Sequence, residues 1–357
     1  MLRDAGLTAR RGFHSGLRMI TIKEIAKIVG LSPSTVSIVL SGKAEKRGIS
    51  PQTVEKIKRT AAEYGYVPNT PAIRLRLASN VTTYRVVIFW TADFRESVML
   101  RFIKEIERRI LNEKEMDFEV LLKVYKNDHL REAMTEELIR SCHGAIICNA
   151  SAEDMAFVED SHFSRPVVLY NRYSKKYPGV TLDDRRIGAL PARAFGAHGC
   201  RRPSIITSPS TFSGMNLRWS AYEQTCAACG MEPPVKIVCG AGIHDGYLAT
   251  RRLMEDHPDI DGVFYSSDEL AMGGLRYFYE AGVPIPGQVK LIALGYNSLK
   301  NTELSIPALS VIDIPIERAA ERCLTILTRL MRYEKADPSE SESIISEYIP
   351  RESCPGV

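Results

Sequence analysis

Near the amino end, apolar positions recur at helical spacing in three short runs. Ile22, Ile25, Ala26 and Val29 share one face, and Gly30 ends that run. Ser32-Pro33 then supplies a cap and a first-turn proline for a second helix. Its inward face is Val36, Val39 and Leu40, while Ser34, Thr35, Ser37 and Ile38 point elsewhere; Ser41-Gly42 closes it. Ser50-Pro51 opens a third helix striped by Val54, Ile57, Ala61 and Tyr64, with Gly65 as its cap and Pro68 barring continuation. Two short helices joined by a turn containing glycine, with a third to close the core, predict a helix-turn-helix. From Tyr84 onward the pattern changes. Short apolar runs at 85–90, 120–124, 144–148, 166–170, 204–207, 236–238, 262–266 and 290–295 read as strands, and helical stretches such as 98–111 separate most of them. Alternation of this kind predicts parallel sheets covered on both faces, and some 270 residues of it are enough for two lobes.

Composition is that of an ordinary globular chain: 357 residues, 45% hydrophobic and 25% charged, with no apolar run long enough to span a membrane. The formal charge of +4 hides an asymmetry. Residues 1–80 hold 14 Lys and Arg against five acids, whereas the remainder holds 33 basic and 38 acidic residues. A basic module on a mildly acidic body points to a polyanion partner for the first part alone, nucleic acid ahead of a membrane surface. Four arginines and one acid fall within residues 1–18. That stretch reads as a disordered extension ahead of Met19, with an organelle transit peptide as the alternative. The eight cysteines follow no framework spacing, and the lone Cys226-Ala-Ala-Cys229 lacks the second pair that zinc would need. Buried thiols in a reducing cytoplasm are the expectation, with no metal and no cofactor.

Three motifs carry a resemblance: Thr21-Ile-Lys-Glu-Ile-Ala26, Gly30-Leu-Ser-Pro-Ser-Thr-Val-Ser37 and Tyr64-Gly-Tyr-Val-Pro-Asn69. In this order they resemble the headpiece of the lactose-repressor (LacI/GalR) family of bacterial transcription regulators. The resemblance implies that the second helix lies in the major groove. Pro33, Ser34 and Ile38 then occupy base-reading positions, and Thr21, Thr35, Ser37 and Lys43 face phosphate, with Lys46 and Arg47 nearby. An arginine at the third reading position would grip guanine bidentately. Ile38 instead meets an apolar edge such as a thymine methyl, so the half-site departs from a standard one. Residues 69–77 read as a short hinge helix, too short to be stable alone. The family's hinge pairs with its twin in the minor groove and wedges a leucine between base steps. Leu75 falls at that position, flanked by Ile73, Arg74 and Arg76.

The body resembles the same family's effector domain, which is similar to periplasmic sugar-binding proteins. The landmarks are Asn171-Arg172, Val180-Thr-Leu-Asp183 followed by Gly188, Arg218-Trp-Ser-Ala-Tyr222, Ser266-Ser-Asp268 and Leu294-Gly-Tyr-Asn-Ser298. The resemblance implies that the chain crosses between lobes near Asp183 and returns near Ile312. A ligand would sit where strand carboxyl ends meet in the crevice. Arg218 is its best anchor, with Asp183, Ser267, Asp268 and Asn297 as further effector-binding candidates. Asn297 replaces the family's usual Asp, giving up a charge that would accept two hydroxyls. Trp90, Phe94, Phe212 and Trp219 offer stacking faces, with core packing as the alternative for both tryptophans.

Gly240-Ala-Gly242-Ile-His-Asp-Gly246 mimics a dinucleotide-binding loop, with Asp261 near the distance of a ribose partner, but it holds one residue too many before the third glycine. A plain strand-to-helix turn is the better reading, and no enzyme activity is expected. The organisation expected is a disordered 1–18, a helix-turn-helix domain 19–68, hinge and linker 69–83, a two-lobed effector and dimerisation domain 84–350, and a tail 351–357. The fold class is an all-α headpiece plus an α/β periplasmic-binding-protein-like body with parallel sheets. The function expected is a cytoplasmic homodimeric regulator, in first place a repressor, with double-stranded operator DNA and a small sugar-like effector as partners and no membrane. A solute-binding protein without DNA function is the competitor, and the basic module argues against it.

Overall fold

The computed structural model describes residues 22–40, 44, 48–63, 83–92, 96–113, 116–209, 213–297, 299–333 and 340–356. The chain divides into two compact units, 1–82 and 83–357. The expected extension 1–18 and residues 69–82 of the expected hinge lie outside the described residues.

In the first unit, α1 (Ile22–Val29), α2 (Pro33–Leu40) and α3 (Pro51–Glu63) enclose a core of Ile25, Ala26, Val29, Val36, Val39, Ala44, Ile57 and Ala61. Gly30 ends α1 at φ +73°, the left-handed geometry that glycine adopts without a Cβ penalty. Ser32 caps α2 by accepting from the Thr35 amide at 3.1 Å, and Ser50 caps α3 in the same way at 3.3 Å. Lys56 on α3 donates to the Val29 carbonyl at 3.1 Å, placing a cation at the carbonyl end of α1.

The second unit holds two six-stranded sheets. Lobe one begins with β1 (Thr83–Thr91), α4 (Glu96–Asn112), β2 (Asp117–Tyr125), the short α5 (Leu130–Ala133) and α6 (Glu136–Ser141), β3 (Gly144–Cys148), α7 (Ala152–Asp160), β4 (Val167–Tyr170) and β5 (Gly179–Leu182). The chain then enters lobe two through α8 (Asp184–Ala197), β6 (Pro203–Thr207), α9 (Ser213–Ala228), β7 (Val235–Val238), α10 (Ile243–Asp256), β8 (Gly262–Tyr265), α11 (Asp268–Ala281), β9 (Lys290–Gly295), α12 (Leu299–Glu303) and β10 (Ser310–Asp313). It returns through α13 (Ile316–Tyr333), which packs on α4 and on the lobe-one strands, to β11 (Glu342–Ile344), and crosses once more to β12 (Tyr348–Ile349).

The sheet orders are β11-β5-β4-β3-β1-β2 and β12-β10-β9-β8-β6-β7, parallel throughout except for the β10–β12 pair. Inner strands such as β3 and β4 are buried along their whole length, as a sheet covered on both faces requires. The edge strand β2 is the contrast, with Leu121, Leu122 and Val124 exposed. One buried cluster contains Phe102 and Ile146 of lobe one together with Phe264 and Ile292 of lobe two, and each such side chain contributes about 1.5–3 kcal/mol on burial.

Two expectations are corrected. The lobes are joined by three crossings rather than two, the third lying between β11 and β12. Residues after 350 are not a loose tail. Ser353 and Cys354 are fully buried; the Ser353 hydroxyl donates to Leu291 O at 2.7 Å and accepts from the Ser310 amide at 2.8 Å. This short segment closes lobe two because β9 and β10 leave backbone groups there that need partners.

Gly188, in the second turn of α8, lies against the backbone of α9, where a Cβ would come within 2.0 Å of the Arg218 carbonyl oxygen. Gly188→Ala is expected to force the two helices apart and to cost about 1–3 kcal/mol, read as a lowered urea midpoint with an unchanged slope.

Candidate DNA-reading and effector sites

On α2, Val36 and Val39 turn into the headpiece core, so Pro33, Ser34, Ser37 and Ile38 fall on the remaining face. Pro33 and Ser34 are exposed, and Thr35, Ser37 and Ile38 are half-buried. The Ser32 hydroxyl lies 2.8 Å from those of both Ser34 and Thr35, a cluster of short polar groups at the amino terminus of α2. Such an end attracts phosphate through its dipole and its amide donors, and α2 carries neither an acidic nor a basic residue to compete. Ser32, treated by motif reading only as a cap, also belongs to this polar cluster. Thr21, Lys43, Ile73, Arg74, Leu75 and Arg76 lie outside the described residues, as do Lys46 and Arg47.

In the body, Arg218 sits on α9 with its side chain 4% exposed. Its Nε donates to Asp184 Oδ1 at 2.7 Å, and Nη1 donates to the Tyr296 hydroxyl and approaches Met215 Sδ at 3.7 Å. Asp184 begins α8 directly after the first crossing, and Tyr296 follows β9. Neither was among the expected effector residues, because only the fold carries residues 184, 218 and 296 to one point. From lobe one, Arg101 of α4 reaches the same strand end: Nη1 donates to Tyr296 O at 2.9 Å and to Gly295 O at 3.3 Å, and Nη2 to Ile314 O at 3.4 Å. Glu317 at the start of α13 holds the same guanidinium through both oxygens, at 2.7 and 2.6 Å.

Next to Tyr296, Asn297 donates its amide to Asp268 Oδ2 at 3.0 Å and its Nδ2 to Asp268 Oδ1 at 2.8 Å. Burial pushes the Asp268 carboxyl up, and the Asn297 donors partly offset this. The structure thus brings Arg218, Asp268 and Asn297 to the carboxyl ends of lobe-two strands. Two other candidates also serve as helix caps. Asp183 and Ser267 accept from the Arg186 amide at 3.0 Å and the Leu270 amide at 3.3 Å.

Trp90 is corrected from stacking face to core. It is 3% exposed, with Phe102 and Tyr170 rings at centroid distances of 5.5 and 6.1 Å. Trp219 is half-buried, with the Lys236 ammonium 4.6 Å from its ring centre. Phe94 and Phe212 lie outside the described residues.

Lobe one adds residues that motif reading used only as landmarks or passed over. Asn149 after β3 and Asn171 after β4 have φ of 55° and 60°, and Asn171 Nδ2 donates to Asn149 Oδ1 at 3.0 Å. Left-handed backbone at non-glycine residues costs energy and concentrates at functional sites. Arg172 holds the same turns by donating to Asn149 O at 2.8 Å, Asn171 O at 2.6 Å and Ala150 O.

The glycine loop proves to be a strand-to-helix turn. Asp245 accepts from the Gly242 amide at 3.0 Å in a capping arrangement. The loop follows β7, whereas Asp261 precedes β8, so the two lie at opposite ends of the sheet; Asp261 is taken up by the Arg201 and Arg202 amides at 2.7 and 2.9 Å. A dinucleotide cannot bridge them. Of the CxxC pair, Cys226 is buried, which pushes its thiol up to about 12, whereas Cys229 is exposed. Among the described residues, no group of three or more His, Cys, Asp or Glu could hold a metal ion.

The family model for bacterial regulatory proteins of the lacI family matches residues 21–69, and that for a periplasmic binding protein-like domain matches residues 192–354. The chain belongs to the LacI/GalR family of transcriptional regulators. This LacI-family chain is 27% identical to the HTH-type transcriptional regulator GntR of Pseudomonas aeruginosa, over 86% of its own length and 89% of the relative's. A LacI-family regulator from Clostridium acetobutylicum matches with a TM-score of 0.70 at 25% identity, covering 75% of this chain and all but 1% of the other. The regulator CelR in complex with cellobiose matches at 0.64 and 22% identity over 94% of this chain and 99% of its own. The chain is a DNA-binding regulator with a helix-turn-helix headpiece and a two-lobed body. No described helix is long and apolar enough to cross a membrane.

In this LacI-family body Arg218 is buried and its partner Asp184 is largely covered, 13% exposed. Asp184→Ala is expected to destabilise the chain by about 3–5 kcal/mol, because it strands a buried guanidinium. The double variant Arg218→Met/Asp184→Leu should lose less than either single change in urea unfolding; additive losses would show that the two groups do not act as a pair.

Proposed function

We propose that this regulator is a homodimeric repressor acting in the cytoplasm, whose operator affinity is set by a small polar, sugar-like effector held between the two lobes. The observation that carries the effector reading is that Asp268 and Asn297 in lobe two, and Asn149 and Asn171 in lobe one, stand at strand carboxyl ends, with Arg218 reaching Tyr296 beside Asn297. The cellobiose-bound relative supports the chemical class. Effector binding would shift the lobes between two arrangements with different DNA affinity, a coupling of about 1–3 kcal/mol in such systems. Pro33, Ser34 and Ile38 would read bases, Thr35 and Ser37 would meet phosphate, and Leu75 with its neighbours would enter the minor groove. The last assignment rests on the sequence resemblance alone. The polar cluster serves binding, and no catalytic group is assigned.

Fragments selected from genomic DNA by the full chain, followed by fluorescence anisotropy, test the DNA side. Affinity should fall steeply with salt, by about 0.9 log units per log unit of salt for each phosphate neutralised. Thr35→Ala should weaken all sequences alike, whereas Ile38→Ala should relax preference at one base pair by about 1–3 kcal/mol. Equal losses on every sequence for both variants would remove Ile38 from base reading.

A further inference from the structure

We propose that the effector is uncharged where it meets Arg218, a neutral polyhydroxy compound rather than a sugar acid or sugar phosphate, and that Asp184 is the residue that sets this choice. The proposal rests on the interlobe effector reading given above and adds the charge selectivity of that site.

A buried guanidinium at strand carboxyl ends would ordinarily select an anion. Here its charge is already matched. Asp184 holds Arg218 Nε at 2.7 Å, and the side chains are 13% and 4% exposed. To reach Arg218, a ligand carboxylate or phosphate would have to displace Asp184 and leave that partly buried carboxylate without its partner, or else enter beside it as a like charge. Among the described residues, two further guanidiniums at these strand ends are engaged as well. Arg101 is held bidentately by Glu317. Arg172 directs Nε, Nη1 and Nη2 to the carbonyl oxygens of Ala150, Asn171 and Asn149. Asp268 adds a second acid, bound to Asn297, and would repel an anion further. A hydroxyl fits where an anion does not, because it donates to Asp184 or Asp268 and accepts from a guanidinium or amide in the same geometry. Ser267 and Asp183, tied up as caps, leave this arrangement of pairs unaltered.

Isothermal titration of the full chain with matched compounds tests this: D-glucose against D-gluconate, D-galactose against D-galacturonate, D-ribose against ribose 5-phosphate, with inorganic phosphate as a bare anion. Wild type should bind a neutral member and not its acidic partner. Asp184→Asn keeps an acceptor for Arg218 Nε but removes the charge, and should shift the acid-to-neutral affinity ratio by at least about tenfold toward the acid. Asp184→Glu should keep the wild-type preference, which separates charge from folding effects. If no neutral sugar of the panel binds wild type, the acid and phosphate arms still decide, since Asp184→Asn must gain affinity for them. Wild type binding an acid or phosphate more tightly than its neutral parent, or an Asp184→Asn variant with an unchanged ratio, would overturn the proposal. Sugar binding that is untouched by both Asn297→Ala and Arg218→Lys would instead place the effector outside the cleft and fail the parent reading.

Discussion

A parallel sheet must bury both faces, and each of its strands must be reached by a crossover. Everything functional in the body follows from that constraint. Helices cover the faces, so the only surfaces left for polar chemistry are the strand ends and the loops that leave them. With two such sheets in one chain, the carboxyl ends of β3 and β4 in lobe one, and of β8 and β9 in lobe two, carry Asn149, Asn171, Ser267 and Asn297. These are short polar residues at the points where apolar strands stop. The crossings near 183, 314 and 346 fall at the same ends and tie the lobes together.

Polar groups held at these ends are expensive unless paired, and the pairing found here is dense. Arg101 shows how it works across the lobes: a side chain rooted in α4 satisfies carbonyls at the ends of both β9 and β10 while Glu317 compensates its charge. Tyr296 and Asn297 then serve three partners between them, with the Tyr296 carbonyl on Arg101, its hydroxyl on Arg218 and the Asn297 amide on Asp268. Any change in lobe arrangement must keep these bonds or leave buried groups without partners, which makes intermediate positions costly and favours discrete states.

The headpiece follows a different economy. Among the described residues its core is eight aliphatic side chains, and the residues proposed to read bases are uncharged and lie on one helix face. Positive charge is carried elsewhere in residues 1–80 and supplies affinity that is indifferent to sequence. Ile38 illustrates the proposed division, since an apolar side chain at a reading position would discriminate by shape and by the thymine methyl rather than by charge.

Local patterning was sufficient for the helices of the headpiece, the strand-helix alternation, the basic module and the family. Periodicity, caps and glycine turns act over a few residues, and the family motifs are contiguous. Arg218, Asp268 and Asn297 were legible as candidates for the same reason. The partner of Arg218, the burial of Trp90 and the packing of residues after 350 were not. Each depends on what a segment distant in the chain packs against it, and no local spacing encodes that. The sequence by itself determined which elements form and what kind of protein they build. Only the tertiary structure decided which charges are already paired, because pairing is a property of positions in space rather than of order along the chain.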